Sequence, residues 1–307
     1  AYGIWYVQVN NNAENLLTLA EESEASGRLL EARDALEQYV QFREDDTDAQ
    51  VRLAKLALKV AQESSATTDD IIKARSTLVS TVRTTNDPEL RRDLADTYLT
   101  HGQFLDALVH LDELLLEDPN DPELLAMRVR ALLGSGKDDE AVSLAYKLIG
   151  YSPESDAFDE EGALAPGEVA VYSVLARHLR KEGDQEDLAD RIVQRMVEAN
   201  EDSADAHLEH YLVQQRDAAI KKARLDAEEE AMRREAEAAG NEQFREEALA
   251  AFEEKKAEQT AEYEAATAEA RKSLQRAYEL DPTKPGVLMY LGTEAMSDED
   301  YDAALKY

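Results

Sequence analysis

The chain has no cysteine, and its 307 residues include only seven prolines, twelve glycines, one tryptophan and five phenylalanines. Without cysteine there can be no disulfide framework, thiolate nucleophile or cysteine-ligated zinc, although the compartment stays undecided. Scarce proline and glycine leave few obligatory chain breaks, and the alanine, leucine and glutamate that dominate are strong helix formers. Aromatics make up 6% of the residues, but hydrophobic residues reach 43%, enough for a core. Positive charge is also scarce, with 34 Lys and Arg against 67 Asp and Glu and a formal net charge of −33. Non-specific nucleic-acid binding needs clustered cations to neutralise phosphates, so nucleic acid is not an expected partner. Most of the acidic excess reads as solvated helix surface.

Chemical signatures are missing too. There is no Gly-rich phosphate loop, no serine nucleophile elbow and no dinucleotide fingerprint. Of the five histidines, His101, His110, His178, His207 and His210, only the last two lie close, in His-Leu-Glu-His. That spacing puts them on one helix face near Asp205, but the glutamate directly after the first histidine of a zinc peptidase is lacking, as is a third ligand. They read as histidines at the surface or beside the base of an inserted arm. No cofactor, metal or enzymatic activity is expected of this segment.

What is present is a repeat. Pro88-Glu-Leu, Leu94-Ala95, Tyr98, Gly102, Phe104, Ala107, Leu111, Leu114 and Pro119 are followed by Pro122-Glu-Leu, Val129, Leu132, Gly136, Ala141, Ala145, Leu148 and Pro153. Gly102 to Gly136, Ala107 to Ala141 and Pro119 to Pro153 are each offset by 34 residues. A fixed period of that length, with small residues at helix-packing positions, marks a helix–turn–helix array. The stretch resembles the tetratricopeptide repeat (TPR) family.

The resemblance implies an all-α fold, a right-handed TPR-type superhelix of helix–turn–helix repeats, here with an inserted long charged helical hairpin. It covers roughly Ala13–Gln215 and Ala270–Tyr307, as about six and a half units. Repeat one runs from about Ala13 to Asp46, with Gly27 at its turn and Glu44 where the family usually ends on proline. Repeat two starts near Thr47 and carries about eight extra residues around Glu63–Asp70, with Thr67, Thr68 and Asp69 as candidate N-caps. After Pro153, Glu154–Gly167 reads as an irregular, mobile acidic insertion whose carboxylate spacing fits no calcium loop. Repeat five follows from Val169. Repeat six is split by residues 216–269, two charged helical runs meeting at Gly240-Asn241. Its second helix returns at Ala270, and repeat seven begins near Pro285.

The hairpin is expected to pack through a thin seam of Ile220, Ala223, Leu225, Ala227 and Ala231 against Phe244, Leu249, Ala250 and Phe252. A single long helix with a glycine weak point is the alternative. Residues 1–12 hold Tyr2, Trp5 and Tyr6 in a short apolar run, too short to cross a bilayer alone. They read either as the exit end of a membrane-anchor helix or as a cap on the first repeat. The start at Ala1 and the stop at Tyr307 within a helical pattern suggest a piece of a longer protein, with further repeats or a cap beyond.

In the TPR family, five positions of each first helix line a concave groove. Carried onto this chain, they are Asp48, Val51, Lys55, Leu58 and Lys59; Glu89, Arg92, Asp96, Leu99 and Thr100; Glu123, Ala126, Arg130, Leu133 and Gly134; and Ala170, Ser173, Arg177, Arg180 and Lys181. Seven are basic and four acidic, the reverse of the chain as a whole. Lys55, Lys59, Arg92, Asp96, Leu99, Arg130, Leu133, Arg177, Arg180 and Lys181 are the candidate partner-binding residues, and an extended acidic peptide or terminal carboxylate is the expected ligand. The family's carboxylate-clamp set does not sit at the required positions. The expected function is a non-catalytic interaction scaffold, either membrane-anchored through its N-terminus or cytoplasmic. The alternatives are a targeting module of a larger enzyme and a coiled-coil arm acting as spacer or dimeriser. Partner identity and oligomeric state stay open.

Overall fold

A computed structural model describes the backbone of residues 2–159, 161–182, 185–238 and 242–307, and the side chains within these ranges except at 2–11, 182, 235–238, 242–255, 258, 259 and 262. In chain order the elements are α1 (Tyr2–Ala25), α2 (Leu29–Phe42), α3 (Thr47–Gln62), α4 (Thr68–Thr85), α5 (Pro88–Thr100), α6 (Phe104–Glu117), α7 (Pro122–Gly134) and α8 (Asp138–Ile149). Then come β1 (Tyr151–Ser152), β2 (Ala157–Phe158), α9 (Val169–Glu182), α10 (Glu186–Ala199), α11 (Ala204–Ala238), α12 (Glu242–Leu280), α13 (Pro285–Ser297) and α14 (Tyr301–Ala304). They gather into two compact units, Ala1–Leu144 and Ala145–Tyr307, divided within α8.

In the first unit successive helices from α1 to α7 pack on one another, and the first helix α5 also meets the first helices α3 and α7 directly. The helix starts are strongly signalled. Asp46, Asp87 and Asp121 accept hydrogen bonds from the amides of Ala49, Leu90 and Leu124 at 2.9, 2.9 and 3.0 Å. Pro88 and Pro122 follow at the first helical position, where a missing N–H costs nothing. Each such cap contributes about 1 kcal/mol by satisfying an orphan amide. Of the candidate caps before α4, Thr67 takes the role, in a reciprocal capping box with Asp70.

The turns within repeats three and four match in detail. Gly102 and Gly136 sit at φ 71 and 75. Gln103 N–H donates to Tyr98 O at 2.8 Å, and Lys137 N–H to Leu132 O at 3.0 Å. This is the left-handed C-terminal closure that glycine adopts without the steric cost of a β-carbon. Behind the turns, Ala95, Ala107, Ala131 and Ala141 are fully buried and let the helices approach, while Leu111, Leu124 and Leu132 fill the space between them. Gly134, assigned to the groove from its position, instead accommodates the Phe104 ring: a β-carbon there would stand 2.4 Å from it.

One buried cation anchors α2 to α4. Arg33, 5% exposed, reaches Asp34 at 2.7 Å and Asp70 at 2.5 Å. Hydrogen bonds from Thr67 first, and then from Arg33, hold the Asp70 carboxyl well below the usual carboxylate range.

The second unit departs from the sequence expectations in two places. The acidic insertion after α8 is built rather than irregular. Tyr151 pairs with Phe158 and Ser152 with Ala157 in an antiparallel β1–β2 ribbon. Asp156 at its turn accepts from Tyr151 Oη and from Arg191, both at 2.8 Å, so a single carboxylate ties the ribbon to α10. Gly150 allows the closure: a β-carbon there would lie 2.2 Å from the Asp159 carbonyl oxygen.

The second departure is the seam of the arm, not the arm itself, which is the expected hairpin of two paired helices. α11 and α12 pack against each other as antiparallel partners: His210 meets Ser273 at the base and Glu229 meets Lys256 further out. The turn between them, at Gly240-Asn241, and the expected seam residues Phe244, Leu249, Ala250 and Phe252 lie outside the described residues. On α11 the inward residues are Tyr211, Ala218, Leu225 and Met232, seven apart, facing Thr260, Tyr263, Thr267, Ala270, Leu274 and Ala277 on α12 at alternating spacings of three and four. Of the seam expected on α11, only Leu225 is turned inward: Ala223, Ala227 and Ala231 are exposed, as is Ile220 at 46%. A seam between paired helices follows a spacing near 3.5, and Tyr211, fixed in the core, sets its phase.

Residues 2–12 continue without a break into the first helix of repeat one, in α1. The side chains of Tyr2, Trp5 and Tyr6 lie outside the described residues. Among the described residues, no helix is long and apolar enough to cross a membrane.

Candidate interaction surface

In the first unit, the residues expected to line a groove lie along the meeting line of α3, α5 and α7, but most of their charge is already used. Lys55 meets Glu89 at 2.5 Å. Arg92 bonds Asp121 at 2.5 Å and also pairs with Glu123. Glu89 and Glu123 occupy the second position of the next first helix, so a cation from one repeat meets a carboxylate from the next. The hydrogen bond that Lys55 donates to Glu89 is the main cause that raises its ammonium above its ordinary value. Lys59 stands 3.9 Å from Glu24. Lys55, Lys59 and Glu24, together with Asp48, Val51, Arg52 and Asp87, edge a depression of about 390 Å³ with mixed charge.

Leu99 does not belong to this surface. It is 2% exposed and packs in the core of repeats three and four, because α5 turns its twelfth position against α6 and α7 rather than outward. Leu133 is half-buried against the same core, whereas Asp96 and Arg130 are exposed. Arg130 makes no ion pair among the described residues.

The second unit treats the corresponding positions differently. Arg177, Arg180 and Lys181 on α9 line a depression of about 370 Å³ together with Val213, Arg216, Asp217, Ile220 and Arg224 on α11. Five cations and one carboxylate therefore surround one cavity. Arg180 is committed, pairing with Asp190 and lying 2.9 Å from Asp217. Burial pushes the Asp217 carboxyl up, against the pull of Arg180. Arg177 lies 4.0 Å from Glu209, and Arg224 is 3.5 Å from Glu186. Lys181 and Arg216 have no ion pair among the described residues.

The two close histidines are buried at the arm's base. His207 Nε2–H donates to the Glu201 carbonyl at 2.9 Å, and His210 Nδ1 lies 2.7 Å from Ser273 Oγ. Burial pushes the His210 imidazole below its ordinary value. Among the described residues no group of three or more histidines and carboxylates is placed to hold a metal ion.

Residues 98–159 match the family profile of the tetratricopeptide repeat. Over that stretch the chain carries tetratricopeptide repeats. No curated protein matches it. Among solved structures, a tetratricopeptide repeat protein from Parabacteroides merdae is similar over 96% of this chain and 90% of its own, at 11% identity and a TM-score of 0.53. A likeness at that identity is one of fold. The MamA structure from Desulfovibrio magneticus covers 62% of this chain and 96% of its own, at 14% identity and a TM-score of 0.48.

Within the TPR frame, Arg177, Arg180 and Lys181 are brought together, and Lys55 and Lys59 edge a second depression. Arg216, Ile220 and Arg224 are additions the family positions do not contain, since they lie beyond the standard length of a first helix. Their signal in the sequence is the i, i+4, i+8 spacing on one side of α11. Placing Ile220 in the hairpin seam obscures it.

Proposed function

We propose that this chain is a non-catalytic scaffold that binds acidic segments of partner proteins on the first-helix surface of its tetratricopeptide repeats. One observation carries the reading: on a molecule of net charge −33, Arg177, Arg180, Lys181, Arg216 and Arg224 line a single cavity. The Debye length is about 8 Å at physiological ionic strength, so acidic surface elsewhere is screened from a short ligand held there. A long polyanion would run out of the cavity onto acidic surface, which favours short carboxylate-bearing segments over nucleic acid.

The test uses two pools of fluorescein-labelled nine-residue peptides, one half Glu and Asp in random order, the other with Gln and Asn in their place. Fluorescence anisotropy should show preferential binding of the acidic pool, with a preference that falls as salt rises. R177E/K181E should abolish that preference. Equal binding of the two pools by the wild-type chain overturns the proposal.

A further inference from the structure

The exposed cations of the second-unit cavity are spaced along α11 in a way that specifies more than charge. Arg216, Ile220 and Arg224 follow at intervals of four residues on the side of α11 turned away from its seam with α12, and all three line the cavity. Eight residues of helix advance about 12 Å, so the two arginines stand that far apart along the axis with Ile220 midway. In an extended peptide, residues i, i+2 and i+4 point to the same side and span about 13 Å. The two periods match over one such interval. Ile220 is 46% exposed although it is a large aliphatic side chain, and Val213, buried on the same helix, is the other apolar residue lining the cavity.

From this register, and resting on the function proposed above, we infer that the root of the inserted hairpin reads an extended partner peptide of the form acid–x–aliphatic–x–acid. The two carboxylates meet Arg216 and Arg224, and the aliphatic residue covers Ile220. Arg177 and Lys181 on the facing helix α9, four residues apart, flank the peptide from the other side. Arg180 stays in its pairs with Asp190 and Asp217 and holds α9, α10 and α11 together. The hairpin is then part of the binding site and not only an interruption of the array. The arginines that distinguish this cavity from the first-unit surface come from the extra length of α11.

Two synthetic peptides of identical composition test the register. One carries Glu-Ser-Leu-Ser-Glu and the other Glu-Leu-Glu between serines. Titrated by anisotropy onto the full chain, the first should bind about tenfold more tightly than the second, because only its two carboxylates reach both arginines at once. R216E/R224E should remove that difference while the far-UV circular dichroism stays unchanged. R216Q, which breaks no ion pair among the described residues, should reduce it. I220S should remove the advantage of leucine over serine at the central peptide position. Equal affinity for the two peptides, with the acidic-pool preference intact, overturns the register and leaves the general reading standing. Loss of the acidic-pool preference as well overturns both.

Discussion

The first helices of the two units carry cations at corresponding positions, and those cations have opposite fates. In the first unit Lys55 and Arg92 each meet a carboxylate one repeat further on, Glu89 and Glu123, so most of the surface is neutralised from within and Arg130 alone of its groove cations has no ion pair among the described residues. In the second unit Arg177, Lys181, Arg216 and Arg224 converge on one cavity; Arg180 holds the closest pairs, Arg177 and Arg224 have looser ones at 4.0 and 3.5 Å, and Lys181 and Arg216 have none among the described residues. The difference shows that a basic residue at a groove position is neutralised where the acid at the second position of the next first helix reaches it, as Glu89 and Glu123 do and Asp205, paired with Lys284, does not. A count of charges along one helix does not reveal this. The partners lie 34 and 31 residues away in sequence, and they matter only once adjacent first helices pack side by side.

The sharpest way to break the comparison concerns Leu99, which the family position assigns to the ligand surface and the fold assigns to the core. Leu99→Ala should destabilise the first unit by about 2–5 kcal/mol, the cost of a buried leucine plus its cavity. Acidic-peptide binding at the second unit should be unaffected under native conditions. Urea unfolding followed by circular dichroism reads the first effect and anisotropy the second; a stable variant with impaired binding would return Leu99 to the ligand surface.

Asp121 sharpens the contrast at the next scale down, because it both caps α7 and receives Arg92. Asp121→Ala should cost about 0.5–2 kcal/mol from the lost cap, with a further contribution from the Arg92 pair. Burial opposes ionisation of Asp121, but the Leu124 amide and Arg92 outweigh it and hold the carboxyl below its ordinary value. A carboxyl depressed in the folded state contributes stability that is fully present above its unfolded pKa, about 3.9, and is lost as pH falls through the folded value. Urea midpoints measured from pH 6 down to pH 3 should therefore fall for the wild type, and less steeply for Asp121→Ala.

The smallest effect on stability is expected where the comparison is inverted. E89Q/E123Q removes the partner of Lys55 and one of the two partners of Arg92 while leaving every cap in place. Exposed ion pairs of this kind contribute about 0–1 kcal/mol, so the unfolding midpoint should hardly move. Affinity of the first unit for the acidic peptide pool, isolated in an R177E/K181E background, should rise. No change in affinity would show that cation availability does not distinguish the two surfaces.

Much of this architecture is legible from residues close in sequence. Gly102 and Gly136, Pro88 and Pro122, and the buried alanines each express a local requirement of a turn, a cap or a helix crossing, and they recur at a fixed offset. The aspartates before the prolines and the Thr67–Asp70 capping box are equally local and readable. The acidic insertion is harder to read because two-residue strands carry no periodicity, and its order comes from Arg191, 35 residues downstream of Asp156. The phase of the arm's seam is hidden because alanine and aliphatic residues are scattered around α11. A helix rich in alanine has no single apolar stripe from which to choose a face.

The amino-acid sequence by itself determined the helices, their ends and the repeat period, because each depends on backbone conformation and side chains within a turn or two. Tertiary structure alone decided which cations stay available, which face of α11 meets α12, and that Ile220 lies between two arginines in a cavity. Those outcomes depend on the lateral register of helices separated by tens of residues. That register is set by the packing of buried side chains such as Tyr211, Ala270 and Leu274, not by the exposed residues whose arrangement it fixes.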